Sequence, residues 1–159
     1  MGDLALLGAA FAFGFGSALL PVFLNAELYI VGNAALVSES IIVAVVLTLS
    51  VGTVIGKAMV FELARKGRKS IRVGERKPTS NRWILKLRAA GDWLIALLDR
   101  PYAGGLTVLA SSLFGVPPLA VVTIVAGASN QSRYLFLLMV FIGRTIQFLA
   151  IAFFVAKAF

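Results

Sequence analysis

Four apolar tracts alternate with polar breaks along the chain. The first runs from about Leu4 to Val37 and is interrupted at Pro21 and by Asn25 and Glu27. Its arms, Leu4–Leu20 and Val22–Val37, hold about 16 or 17 residues each, the lower limit for crossing a bilayer. That length predicts a helical hairpin that dips in and turns back. The second tract, about Ile41 to Leu63, is long enough to cross outright, and apart from Glu62 at its end its one charge is Lys57. The third, Ala103 to Ala128, is broken by Pro117-Pro118 into arms of about 14 and 10 residues, too short to cross separately at about 1.5 Å per residue. It reads as a re-entrant hairpin or as one kinked span. The fourth, Tyr134 to about Val155, is a full span containing Arg144 and Gln147.

Between the second and third tracts lies a polar linker from Arg65 to Arg100. Its first part, Arg65–Ser80, is basic, contains Pro78 and has no hydrophobic period, which predicts a loop. Ser80 or Asn81 then caps a predicted helix ended by Pro101. Trp83, Ile84, Leu87, Gly91, Leu94, Leu97 and Leu98 recur at helical spacing, opposite Arg82, Lys86, Arg88, Asp92 and Asp99. Such a helix lies in a membrane interface or packs on the protein's own cytoplasmic face.

Composition agrees with the tracts. The 159 residues are 60% hydrophobic and 14% charged, whereas a soluble domain carries about 45–50% apolar residues and about a quarter charged. The net charge is +8, and ten of the fifteen Lys and Arg fall between Arg65 and Arg88. Apolar flanks on both sides make that block a cytoplasmic loop obeying the positive-inside rule, and weigh against nucleic acid as a partner. The chain has no Cys and no His, which removes disulfides, thiol chemistry, imidazole bases and the usual zinc ligands. With an acid at Asp3 and no basic stretch before the first tract, the N-terminus does not read as a cleaved signal peptide.

These features predict an all-α integral membrane protein, one membrane domain over 1–159. Its parts are a first half (1–64), a basic cytoplasmic linker with an amphipathic helix (65–100) and a second half (101–159). Each half holds a Pro-broken tract followed by an unbroken one, the sign of inverted repeats around a midplane site. With both broken tracts re-entrant, hairpin one opens outward, with Asp3 and Glu39 at its mouth, hairpin two opens inward, and both termini lie outside. A single kinked span at Ala103–Ala128 instead puts Lys157 inside.

Candidate chemistry is confined to a few polar residues within the apolar tracts. Glu27 sits amid Phe23, Leu24, Leu28 and Tyr29, where a carboxylate needs a cavity or a partner; otherwise it is a solvated acid at a hairpin mouth with Asn25 as a cap. Arg144, near mid-span, and Lys57, nearer a cytoplasmic end, are its natural counter-charges. Lys57 can also snorkel to the interface. Arginine in a polar cavity suits a phosphate, and Gln147 follows one turn after Arg144 on the same face. Gly52-Thr53-Val54-Ile55-Gly56-Lys57 is one residue too short for a phosphate loop and reads as a small-xxx-small packing face. The sequon at Asn130-Gln131-Ser132 falls inside in the favoured topology. No metal cluster, nucleotide motif or hydrolytic set is visible, so no cofactor and no enzyme activity is expected.

The series Leu20-Pro21, Asn25-Ala26-Glu27, Gly52-Thr53-Val54-Ile55-Gly56, Pro117-Pro118, Ala126-Gly127 and Gly143-Arg144 resembles the DedA/VTT membrane proteins, nearest the short YqaA-like branch. The resemblance spans nearly the whole chain. It implies two facing re-entrant hairpins, a multi-pass protein of a bacterial-type plasma membrane, and movement of polyprenyl-phosphate or phospholipid across it. By the same resemblance Glu27 matches the acid of hairpin one, Gly127 the Ala-Gly closing hairpin two, and Arg144 the basic position of the last span. Pro21, Pro117 and Pro118 are the hairpin breaks. The chain departs from longer members in having Ser111, Ser112 and Phe114, not arginines, before Pro117. The expected partners are membrane lipids with anionic headgroups, with a homo-oligomer left open. The alternatives are a proton- or ion-coupled small-solute transporter and a non-transporting scaffold that uses its basic linker.

Overall fold

The computed structural model describes residues 2–21, 23–68 and 78–158. Among them are seven helices and no strand. They are α1 (Gly2–Leu19), α2 (Ala26–Ala34), α3 (Glu39–Lys66), α4 (Arg82–Leu98), α5 (Pro101–Phe114), α6 (Leu119–Ala128) and α7 (Arg133–Ala158). Three of them, α1, α3 and α7, are long and apolar enough to cross a membrane. The chain is thus all-helical, as its pattern predicts. One length differs from expectation: α1, at 18 residues, qualifies as a crossing helix in its own right.

Local chemistry explains the boundaries. Helix α2 starts where the Asn25 side chain accepts hydrogen bonds from the backbone N–H groups of Glu27 (2.9 Å) and Leu28 (3.4 Å). Asn81 caps α4 by accepting from Trp83 N–H at 3.0 Å. Pro101 opens α5, where a missing N–H costs nothing. The same helix stops at Gly115, whose φ of 73° is open to glycine at little cost. Pro117-Pro118 then prevents continuation until α6 begins.

Both broken tracts fold back on themselves. In the first, Tyr29 of α2 stacks on Phe13 of α1 with ring centroids 4.8 Å apart, and its hydroxyl donates to the Leu6 carbonyl at 3.5 Å. In the second, Gln131 beyond the end of α6 lies against Gly104 in the first turn of α5, so the chain returns to its starting level. The Ser111 hydroxyl braces that turn by donating to the Pro117 carbonyl at 2.5 Å. The third tract is therefore two helices.

Packing follows membrane rules. Apolar side chains gain little by leaving lipid for protein, so close backbone approach has to hold the helices together. The most extensive helix contact is α1 against α3, along the predicted small-residue face: a Cβ at Gly52 or Gly56 would collide with the backbone of Phe11 or Phe15. Two apolar clusters fill the rest. One joins Ala10, Ile30, Val45, Leu49, Phe148 and Ala152, and the other joins Phe61, Leu98, Val108, Val122, Phe136 and Val140. Helices α3 and α7 contribute to both.

Two linker expectations change. Arg65, expected in a loop, belongs to α3, which continues to Lys66. Its guanidinium donates to the carbonyls of Gly127 in the last turn of α6 (3.2 Å) and of Ser129 (3.3 Å) and Gln131 (2.7 Å) just beyond it, and those acceptors draw the helix on. In α4 the apolar stripe divides: Leu94 and Leu98 are buried against α5 and α6, while Trp83 is 75% exposed and Leu87 71%. Packing on the protein describes one end of α4 and an open amphipathic face the other. The middle of the basic segment, 69–77, lies outside the described residues.

Candidate functional site

The breaks of the two hairpins meet. Pro21 from the first and Gly115 and Pro118 from the second line one cavity of about 320 Å³. Helices α1, α2, α3, α6 and α7 each contribute a wall, and the charged side chains among the lining residues are Glu27, Lys57 and Arg144. All three are sequence candidates, Arg144 and Lys57 as counter-charges of Glu27, and they come from tracts far apart in sequence.

Each charge arrives by a definite route. Glu27 is in the first turn of α2, where a carboxylate is favoured by the helix dipole. Arg144 Nη1 donates to Glu27 Oε1 at 3.2 Å and to Gln147 Oε1 at 2.7 Å, while Gln147 Nε2 donates to the same Glu27 oxygen at 3.1 Å. Arg144, Gln147 and Glu27 thus close a three-membered ring. The Arg144 side chain is 16% exposed and the Glu27 side chain 41%, so the acid faces the open side of the pair. Phe148 backs the guanidinium, 5.6 Å from the ring centroid. Arg144 Nε is buried without a hydrogen-bond partner in the protein.

Lys57 is 3% exposed. Its Nζ donates to the Ala18 carbonyl at 3.1 Å, at the C-terminal end of α1 where a cation is favoured. Lys57 therefore does not snorkel: its amine turns across to α1 at the cavity wall. Ser17 and Thr53 also line the cavity, with their hydroxyls donating to Gly14 and Leu49 carbonyls in their own helices. They leave lone pairs over. Sequence reading missed both, although Thr53 is one helical turn from Lys57, and that spacing was the signal.

Two helix N-termini complete the lining. Asn25, Ala26 and Glu27 bring the start of α2, and Pro118, Leu119 and Ala120 bring the start of α6. The α6 start has no side-chain cap, so its first N–H groups have no partner of that kind. Two cations against one carboxylate leave the lining side chains net positive, while the N-terminal ends of α2 and α6 are offset by the C-terminal ends of α1 and α5 at Ala18 and Gly115.

The remaining candidates fall elsewhere. Pro117 is outside the cavity lining, with its carbonyl held by Ser111. Gly127 sits at the far end of α6, where a Cβ would meet the Phe61 carbonyl, so its role is close packing of α6 on α3. No group of three or more His, Cys, Asp or Glu that could hold a metal occurs among the described residues. The chain matches no family model, no curated protein and no solved structure.

Proposed function

We propose that this chain is a membrane transporter that takes a phosphate headgroup into the cavity between its two hairpins and moves the attached lipid from one leaflet to the other. The observation that carries this reading is the convergence of Lys57, Arg144 and two helix N-termini on one cavity at the hairpin breaks. An anion there meets charge-assisted donors in a setting of low dielectric. With Glu27 ionised, the lining side chains sum to one positive charge (two cations less one acid), which a singly charged phosphodiester neutralises. The apolar outer faces of α1, α3 and α7 leave the lipid tails in the bilayer while the headgroup passes.

The matching contacts of the two halves support an inverted-repeat arrangement. Exchanging α1 with α5, α2 with α6 and α3 with α7 preserves the main contacts: α1–α3 corresponds to α5–α7, and α2–α7 corresponds to α6–α3. Helices α3 and α7 also each supply a cation that follows a glycine in sequence, Lys57 after Gly56 and Arg144 after Gly143, and both cations line the cavity. The resemblance to the DedA/VTT proteins points to the same function and to a bacterial-type plasma membrane, with the linker on the cytoplasmic side. In this reading Glu27 is the exchangeable partner, leaving Arg144 when a headgroup binds.

The test is headgroup accessibility of labelled phospholipid and polyprenyl phosphate in proteoliposomes, with Glu27→Gln and Arg144→Ala beside the wild type. Lipid movement that both substitutions abolish supports the proposal. Movement of a small anionic solute without lipid favours the solute-transporter alternative. Neither movement from folded protein leaves the scaffold.

A further inference from the structure

A second cavity, of about 340 Å³, lies on the outer face of α3, away from the hairpin breaks. Ile55, Ala58, Met59 and Leu63 form its apolar wall, and Glu62, Lys66 and Arg133 its charged end. Arg133 Nη1 and Glu62 Oε1 are paired at 3.2 Å. The Arg133 side chain remains half exposed, so its other N–H groups face outward. Lys66 adds a second cation, and the end as a whole carries one positive charge.

The dimensions decide the occupant. From Ile55 to Lys66 the helix rises about 16 Å, at about 1.5 Å per residue. One leaflet of hydrocarbon is about 15 Å deep, half of a core about 30 Å thick. The apolar wall, Ile55 to Leu63, takes up about 12 Å of that rise, and the groove with its charged end spans about one leaflet, which puts Lys66 and Arg133 at headgroup level. Above the groove the exposed stripe continues at every fourth residue through Val51 and Leu47. Another cavity, lined by Pro101, Tyr102, Gly105, Leu106, Leu135 and Met139, has no charged residue in its lining. It accepts a tail and offers nothing to a headgroup.

We infer that the groove on α3 is a binding site for an anionic phospholipid of the leaflet facing the basic segment. The headgroup phosphate sits between Lys66 and Arg133, and an acyl chain runs along Leu63, Met59 and Ile55. This site is distinct from the cavity between the hairpins and does not rest on the transport reading. Its lipid is a resident one, held at the end of α3 where the basic segment begins.

The test equilibrates detergent-solubilised protein with equal amounts of phosphatidylglycerol and phosphatidylcholine and weighs the retained lipid by mass spectrometry of the intact complex. The wild type is expected to retain phosphatidylglycerol preferentially. Lys66→Gln and Arg133→Gln should each lower that preference about fivefold, the effect of one cation at a membrane surface. Ala58→Phe, which fills the groove and keeps both cations, should lower retention of phosphatidylglycerol as well. Unchanged retention in the double variant Lys66→Gln/Arg133→Gln, with helicity and elution volume as in wild type, overturns the proposal. So does full retention in a folded Ala58→Phe protein, because the groove then plays no part. Loss of a dimer in these variants, read by light scattering, without loss of lipid, also overturns it and assigns the groove to a second copy of the chain.

Discussion

The two halves handle their buried cations differently. In the first half, Lys57 of α3 stays at home and donates to the Ala18 carbonyl of α1. In the second, Arg144 of α7 reaches across to Glu27 of α2. A second crossing runs the other way, from Arg65 of α3 to one carbonyl in the last turn of α6 and two just beyond it. Each long helix therefore holds the short helix of the opposite half, α7 at the start of α2 and α3 at the end of α6. The crossings also differ in kind. Arg65 satisfies backbone carbonyls, which no ligand replaces, and so acts as a permanent clamp. Arg144 holds a half-exposed carboxylate, which an incoming anion can displace. In the transport proposal the first crossing stays and the second opens.

The largest effect expected from breaking this comparison is at Gly127. Gly127→Leu drives a side chain into the Phe61 backbone and should cost about 3 kcal/mol, the upper end for overpacking. It is read as loss of thermal stability in detergent and of the monodisperse peak; an unaltered melting curve would show that α6 does not depend on its close seat against α3. Next come the two arginines, compared side by side. Arg65→Ala gives up three charge-assisted bonds to carbonyls and should destabilise by about 2 kcal/mol. Arg144→Ala breaks a pair whose acid is 41% exposed, so solvent screening reduces its cost to about 1 kcal/mol. The expected outcome is a reversed order in function, with Arg144→Ala removing lipid movement and Arg65→Ala keeping it in the protein that remains folded. Equal losses in both assays would erase the distinction between clamp and latch. The smallest stability effect belongs to Lys57→Met, which keeps the volume and removes a buried charge with a single neutral acceptor. Stability should change by less than about 1 kcal/mol, while headgroup binding falls; unchanged binding would make Lys57 a cap for α1 alone.

Much of this was legible along the chain because membranes constrain sequence severely. Runs of apolar residues, prolines inside them and clustered arginines report helices, breaks and polar ends with little ambiguity. Isolated charges within apolar tracts were equally visible, and Glu27, Lys57, Arg144 and Gln147 could be named without a structure. The division of α4 could not, because its stripe is uniform and only the neighbours of Leu94 and Leu98 decide which end is covered. Arg65 escaped for a related reason: beside so many basic residues, nothing in its local sequence distinguishes it. Its partners lie 62 to 66 residues away and are backbone carbonyls, which carry no side-chain signature.

The sequence by itself determined the all-helical, apolar character of the molecule, the location of two of its three long apolar helices, and the short set of residues able to carry charge within them. These follow from local chemistry, since the cost of exposing a peptide group or a charge to lipid is set residue by residue. The tertiary structure alone decided which charge meets which, that both hairpin breaks open on one cavity, and that one arginine holds an acid while another holds backbone. Those outcomes depend on distances between segments up to 120 residues apart. Such distances are fixed by helix packing at small residues, and no local pattern encodes them.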